Sequence, residues 1–163
     1  AFDPPARRAG FLFRWWNRDQ ARGPMAWRSA PGGGFTTGRP WLPLPPDVAV
    51  RNVEDQAADA ASVLSFYHRL LRLRREIPAL NAGSQEAFDP GDPDVLAYIR
   101  RNDGAAALVL LNFASRPAPV RLPATAAGGT WRPALSTHAR GPGEALGRSV
   151  ALEPLEALIA LEG

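Results

Sequence analysis

Cysteine is absent from the sequence. That excludes a disulfide framework and any thiolate metal site, and it suits a reducing compartment, so the cytoplasm is the expected location. Lysine is absent as well: all 19 basic residues are arginine, against 16 acidic ones, for a net charge of only +3. With alanine, proline and glycine all abundant, the arginine bias reads as a GC-rich coding preference. Nucleic-acid binding needs arginines gathered on one element. Here they are scattered from Arg7 to Arg148, so no nucleic-acid partner is expected. No apolar run approaches the roughly 18 residues of a membrane span, and no charged-then-apolar start resembles a signal peptide. No membrane partner is expected either. The chain opens on Ala1, and its sole methionine is Met25. The expectation is that the natural start is missing, because a leader was removed or because a longer chain precedes it.

Motifs of self-sufficient chemistry are also missing. No glycine-rich loop runs into a lysine, no HExxH occurs, and no serine sits in a GxSxG elbow. Two isolated histidines cannot build a histidine-rich metal site. His68 reads as a structural histidine rather than a catalytic one. Asp3, Asp19, Asp47, Glu54, Asp55 and Asp59 are each accounted for by a turn, a helix cap or an arginine partner. No catalytic residue, metal or cofactor is expected in this chain.

What remains is globular: 45% of the residues are hydrophobic. Residues 1–57 carry almost no periodicity. They hold proline bursts, the run "PGGG", and Trp15, Trp16, Trp27 and Trp41 out of five tryptophans. So long a non-periodic stretch is improbable within an independent compact domain, and its aromatics imply burial against something else. Residues 59–77, "DAASVLSFYHRLLRLRREI", read as one long helix. Asp59 is its expected N-cap; Val63, Phe66, Tyr67, Leu70, Leu71 and Leu73 form its apolar face; Pro78 stops it. From residue 84 short strands follow: 94–101, 105–113, 118–123, 130–136, 149–154 and 155–162, with 137–148 as a loop. Asn102-Asp103-Gly104 between the first two is a hairpin signal. Mainly β with one long helix, ending in a small antiparallel sandwich, is the fold these patterns support.

The stretch "NRDQARGPMAW" (17–27) is a shaped loop, with Gly23 and Pro24 breaking any regular element. It resembles the "RD-x-x-R-T-P-M-Q-W-D" signature of α-glucosidases and oligo-1,6-glucosidases of glycoside hydrolase family 13. The similarity continues through "GFTTGRPWLPLPPD" (34–47), "RNVEDQAADAASVLSFYHRLLRLRREIPAL" (51–80) and "ALVLLNFAS" (107–115). The resemblance implies the loop after the eighth strand and the last helix of a (β/α)8 barrel over residues 1–81. It implies the C-terminal β-sandwich domain over 82–163. It implies a retaining mechanism whose aspartate nucleophile and glutamate acid/base lie on earlier strands, so that this chain alone is not catalytic. The partners implied are an α-linked glucose oligosaccharide or disaccharide and the remaining, N-terminal part of the barrel.

Residue by residue, the resemblance carries the pocket arginine of the signature onto Arg22. A guanidinium fork there can pair with a carboxylate and still offer donors to sugar hydroxyls. Arg18, Asp19, Met25, Trp27 and Trp41 are expected to be structural, holding and packing the loop. The chain departs from the signature at four places: Asn17 for glycine, Gly23 for threonine, Ala26 for glutamine and Arg28 for aspartate. A non-catalytic module that binds carbohydrate or stabilises a partner is the competing expectation.

Overall fold

The computed structural model describes residues 22–127, 129–140 and 145–163. Arg18 and Asp19, with Trp15 and Trp16, lie outside the described residues. The chain divides into two compact units at Ser65/Phe66.

In the first unit the non-periodic stretch ends earlier than expected, at a short helix α1 (Val53–Ala58). It is too short to show an apolar period, and its start is fixed by capping. Asn52 Oδ1 accepts from the Asp55 N–H at 3.0 Å, and Glu54 and Asp55 place negative charge in the first turn. Asp59 ends this helix instead of beginning the next one. Its N–H donates back to the Asp55 carbonyl, and its Oδ1 accepts from the Ala61 N–H at 2.8 Å. The long helix α2 therefore runs Val63–Glu76, four residues later than the expected start. Ser62 is its cap, accepting from the Ser65 N–H at 3.1 Å. Arg74 and Arg75 occupy its last turn, the favourable end for positive charge. Pro78 then opens α3 (Pro78–Ala82), using the N1 position where a missing N–H costs nothing.

The second unit is built on a five-stranded antiparallel sheet in the order β1-β2-β3-β7-β5. Its strands are β1 (Ser84–Ala87), β2 (Val95–Asn102), β3 (Ala105–Asn112), β5 (Trp131–Ser136) and β7 (Ala157–Glu162). A second sheet pairs β4 (Ala118–Arg121) with β6 (Ser149–Leu152). A one-turn helix α4 (Ala124–Ala127) lies between β4 and β5.

Alternation explains which face each strand buries. Val95, Ala97 and Ile99 of β2, Leu108 and Leu110 of β3, and Leu158 and Ala160 of β7 point to one face. There they share a core with Val120 of β4 and Val150 and Leu152 of β6. Trp131 fills this core at 1% exposure, its indole N–H donating to the Ala126 carbonyl at 2.8 Å. The opposite face carries Ala107 and Val109, packed under Ala79 and Leu80 of α3 and Leu73 and Ile77 around it. Strand β3 is thus covered on both sides, which is why it reads "AAALVLL" with no polar alternation.

The β2–β3 hairpin has Asn102 opposite Ala105, leaving Asp103-Gly104 as a two-residue turn with φ of 45° and 83°. Both positive values define a type I′ turn, whose twist matches the strands. A Cβ at Gly104 would meet nothing within 4 Å. Gly104→Ala therefore isolates the backbone cost of a left-handed residue and should destabilise the unit by about 1–2 kcal/mol. Thermal unfolding of wild type and variant measures it; an unchanged melting temperature would contradict this account of the turn.

Candidate functional site

The signature-like loop is held from both sides. The carbonyls of Ala26 and Trp27 accept from the Val53 and Glu54 N–H groups, each at 2.9 Å. They satisfy the first open donors of α1, as Asn52 satisfies the next. On the other side, the Gly33 carbonyl accepts from both Trp27 and Arg28 N–H, at 2.8 and 3.1 Å. This is possible because Gly32, Gly33 and Gly34 all take left-handed φ, near 69°, 63° and 68°. Three such residues in a row are tolerable only as glycine. Gly33 is further constrained by closeness, since a Cβ there would lie 2.8 Å from Leu44 Cδ2. Buried Asn52 completes the frame, donating to the Val48 carbonyl at 3.0 Å and to Asp55 Oδ2 at 2.6 Å.

This frame fixes residues 26–28 and buries Pro24 and Ala26. Arg22 lies just before it, exposed, and no hydrogen bond or ion pair holds its guanidinium among the described residues. Met25 and Trp27 are half-exposed, and Trp41 is 92% exposed. Their apolar surfaces find no full cover among the described residues. Helix α2 shows the same feature: Val63, Tyr67 and Leu71 form a stripe at four-residue spacing, each more than half exposed, and no residue of the helix is buried.

Sequence reasoning passed over two charged clusters in the second unit. Glu156, with a fully buried side chain, accepts from Arg140 Nη2 at 2.8 Å, Ser136 Oγ at 2.7 Å and the Glu153 N–H at 2.8 Å. Burial pushes its carboxyl up, but these hydrogen bonds outweigh burial and hold it below the ordinary glutamate range. Asp92 binds Arg116 through two bonds of 2.7 and 3.1 Å, and Asp94 adds a third at 3.0 Å. The Arg116 guanidinium and the Asp94 N–H lower the Asp92 pKa. Both clusters tie loops to the sheets, and their carboxylates are spent on arginine. The signal for the first was available: a glutamate within the apolar run "LEALIALE" has to be paired if buried. Among the described residues no group of three or more histidine, aspartate or glutamate side chains is placed to hold a metal ion. No described helix is long and apolar enough to cross a membrane.

Comparison with known proteins divides the chain in two. A family model described as the α-amylase catalytic domain matches residues 8–83, and one described as the maltogenic amylase C-terminal domain matches residues 85–159. Probable oligo-1,6-glucosidase 2 of Bacillus subtilis is 38% identical over 107 residues, 66% of this chain and 19% of that protein. Trehalose-6-phosphate hydrolase of the same organism is 33% identical over 116 residues, 71% of this chain and 21% of that one. The chain thus spans about a fifth of the length of these relatives. Among solved structures, the trehalulose synthase MutB from Pseudomonas mesoacidophila MX-45 matches with a TM-score of 0.78 and 35% identity, over 90% of this chain and 26% of that one.

Proposed function

The chain belongs to the α-amylase family of glycoside hydrolases, family 13, and from that premise we propose that it is the C-terminal part of an α-glucosidase acting on α-glucosidic oligosaccharides or disaccharides in the cytoplasm. Residues 1–81 complete the catalytic barrel, and residues 82–163 form a stabilising sandwich domain. Arg22 reaches the sugar pocket. The catalytic carboxylates come from the preceding part of the barrel, which is the partner this chain needs.

The observation that carries this reading is the α2 stripe of Val63, Tyr67 and Leu71. A 14-residue amphipathic helix gains most of its stability from burying its apolar face, and this one leaves that face uncovered. A barrel wall supplies the cover. Met25, Trp27 and Trp41 are covered in the same way, so that their packing role is fulfilled against the rest of the barrel. The relatives support the substrate class: they include oligo-1,6-glucosidases and α-glucosidases, and a MutB variant is described in complex with the substrate sucrose.

The test is a pair of measurements on p-nitrophenyl α-glucoside and maltose. The isolated chain should release no product above a heat-killed control. The same chain spliced in place of the matching segment of the B. subtilis oligo-1,6-glucosidase should restore hydrolysis. Product from the isolated chain, or a folded but inactive chimera, would overturn the assignment.

A further inference from the structure

We infer that the depression over the glycine turn Pro31–Gly34 is a subsite for an anionic sugar, a glucoside bearing a phosphate or carboxylate, in which Arg28 takes the charge and Phe35 the ring face. The depression holds about 700 Å³ and opens to solvent, with Arg28, Gly34, Phe35, Thr36 and Thr37 in its wall. No carboxylate lines it. The inference deepens the glycosidase reading and rests on it for the sugar; the anionic group is argued from the depression itself.

Arg28 is exposed, and among the described residues no hydrogen bond or ion pair uses its guanidinium. Yet the side chain is placed. Its N–H is bonded to the Gly33 carbonyl at 3.1 Å, and its stem lies across Gly34. A Cβ at Gly34 would come within 2.8 Å of Arg28 Cγ and 3.0 Å of Nε. The glycine turn thus gives the arginine a bed without consuming its five donors. Phe35, 54% exposed, offers an aromatic face in the same wall. The Thr36 hydroxyl accepts from the Gly38 N–H at 3.0 Å, which leaves its proton free to donate, and Thr37 adds a second hydroxyl.

Each part matches one part of a charged sugar. Aromatic faces pack against the apolar face of a pyranose, hydroxyls exchange hydrogen bonds with sugar hydroxyls, and a guanidinium pairs in bidentate fashion with phosphate or carboxylate. A neutral glucoside would leave the arginine charge unused. The α-glucosidase signature that the loop resembles carries aspartate where Arg28 stands, so the charge offered here is of the opposite sign.

The 163-residue chain is titrated with methyl α-glucoside, glucose 6-phosphate, methyl α-glucuronide and inorganic phosphate, following the amide resonances of Gly34, Thr36 and Thr37. The two anionic sugars should bind at least about tenfold more tightly than the neutral one, the scale of one charge-assisted bidentate pair. The order of the phosphate and the uronate tells which anion the subsite prefers. Arg28→Gln should abolish the difference, and Phe35→Ala should weaken all three sugars without abolishing it. Equal binding of neutral and anionic sugars would overturn the inference. So would an undiminished preference in Arg28→Gln, or inorganic phosphate binding as tightly as glucose 6-phosphate. Because no hydrolysis is measured, failure here leaves the glycosidase reading intact, and an inactive chimera leaves this binding result intact.

Discussion

Arg140→Ala is expected to destabilise the sheet unit by about 3–5 kcal/mol at neutral pH, most of the stability of an ordinary domain. The Glu156 side chain is fully buried, and Arg140 meets both of its oxygens while also donating to the Ala151 carbonyl. Removing the arginine leaves a buried carboxylate without its cation. Glu156→Gln, which keeps the shape and loses only the charge, should cost less, about 1–3 kcal/mol. The pH dependence separates the two explanations of any loss. In the wild type the carboxyl is held below its ordinary value. Its contribution is therefore present above the unfolded glutamate value of about 4.3 and fades as pH falls through the folded one. In Arg140→Ala the burial effect dominates and the carboxyl moves up, so acid relieves the variant by neutralising it. Urea midpoints at pH 7 and pH 4 should show the gap between wild type and variant narrowing at the lower pH. A gap of equal size at both, or a loss under about 1 kcal/mol at pH 7, would refute the pairing argument.

The β half of the fold was legible because its signals are local. Each of the six expected strands overlaps an observed one, and the Asn102-Asp103-Gly104 turn resolves into a type I′ hairpin. Strand β1 was illegible for a physical reason: Ser84–Ala87 is exposed at every position and pairs only at the sheet edge, so it has no alternation to read. The helix boundary failed through a competition between caps. Asp59 and Ser62 are both good N-cap residues, three apart, and periodicity alone does not choose between them. The carboxylate of Asp59 closes a turn with Ala61, and Ser62 starts the helix. Short elements such as α1 and α3 are set by Asn52 and Pro78, through capping and not through any apolar period.

The candidate site was legible only by resemblance. Composition and spacing say that residues 17–27 are a loop, and nothing in them says that a guanidinium faces a sugar. What the structure adds is the frame: the α1 donors on one side and the Gly33 carbonyl on the other, with Arg22 left exposed before it. The buried pairs at Glu156 and Asp92 were missed because their partners lie 16 and 24 positions away in sequence. A charge next to an apolar residue looks like strand alternation until the fold shows which face it takes.

The loop frame makes the role of Arg22 separable from the rest. In a barrel completed around this chain, Arg22→Lys should lower kcat/KM on a short α-glucoside by about 10- to 1000-fold, or roughly 1–4 kcal/mol of transition-state binding. Lysine keeps the charge but not the planar fork, and one ammonium cannot serve a carboxylate and two sugar hydroxyls in fixed directions. The effect should come with an unchanged melting temperature, because Arg22 precedes the fixed residues 26–28 and makes no side-chain bond among the described residues. Trp27→Phe should behave in the opposite way. Its backbone is clamped at both ends whatever the side chain, so the substitution trims packing area and lowers stability before it touches kinetics. Arg18→Lys is the third arm, because Arg18 is read as structural and should follow Trp27. Steady-state kinetics and melting curves on all three variants test the assignment together. If Arg22→Lys retains wild-type kcat/KM while Arg18→Lys abolishes activity in a protein that melts normally, the pocket arginine is Arg18. If Trp27→Phe does so, the tryptophan stacks on substrate and Arg22 merely positions the loop.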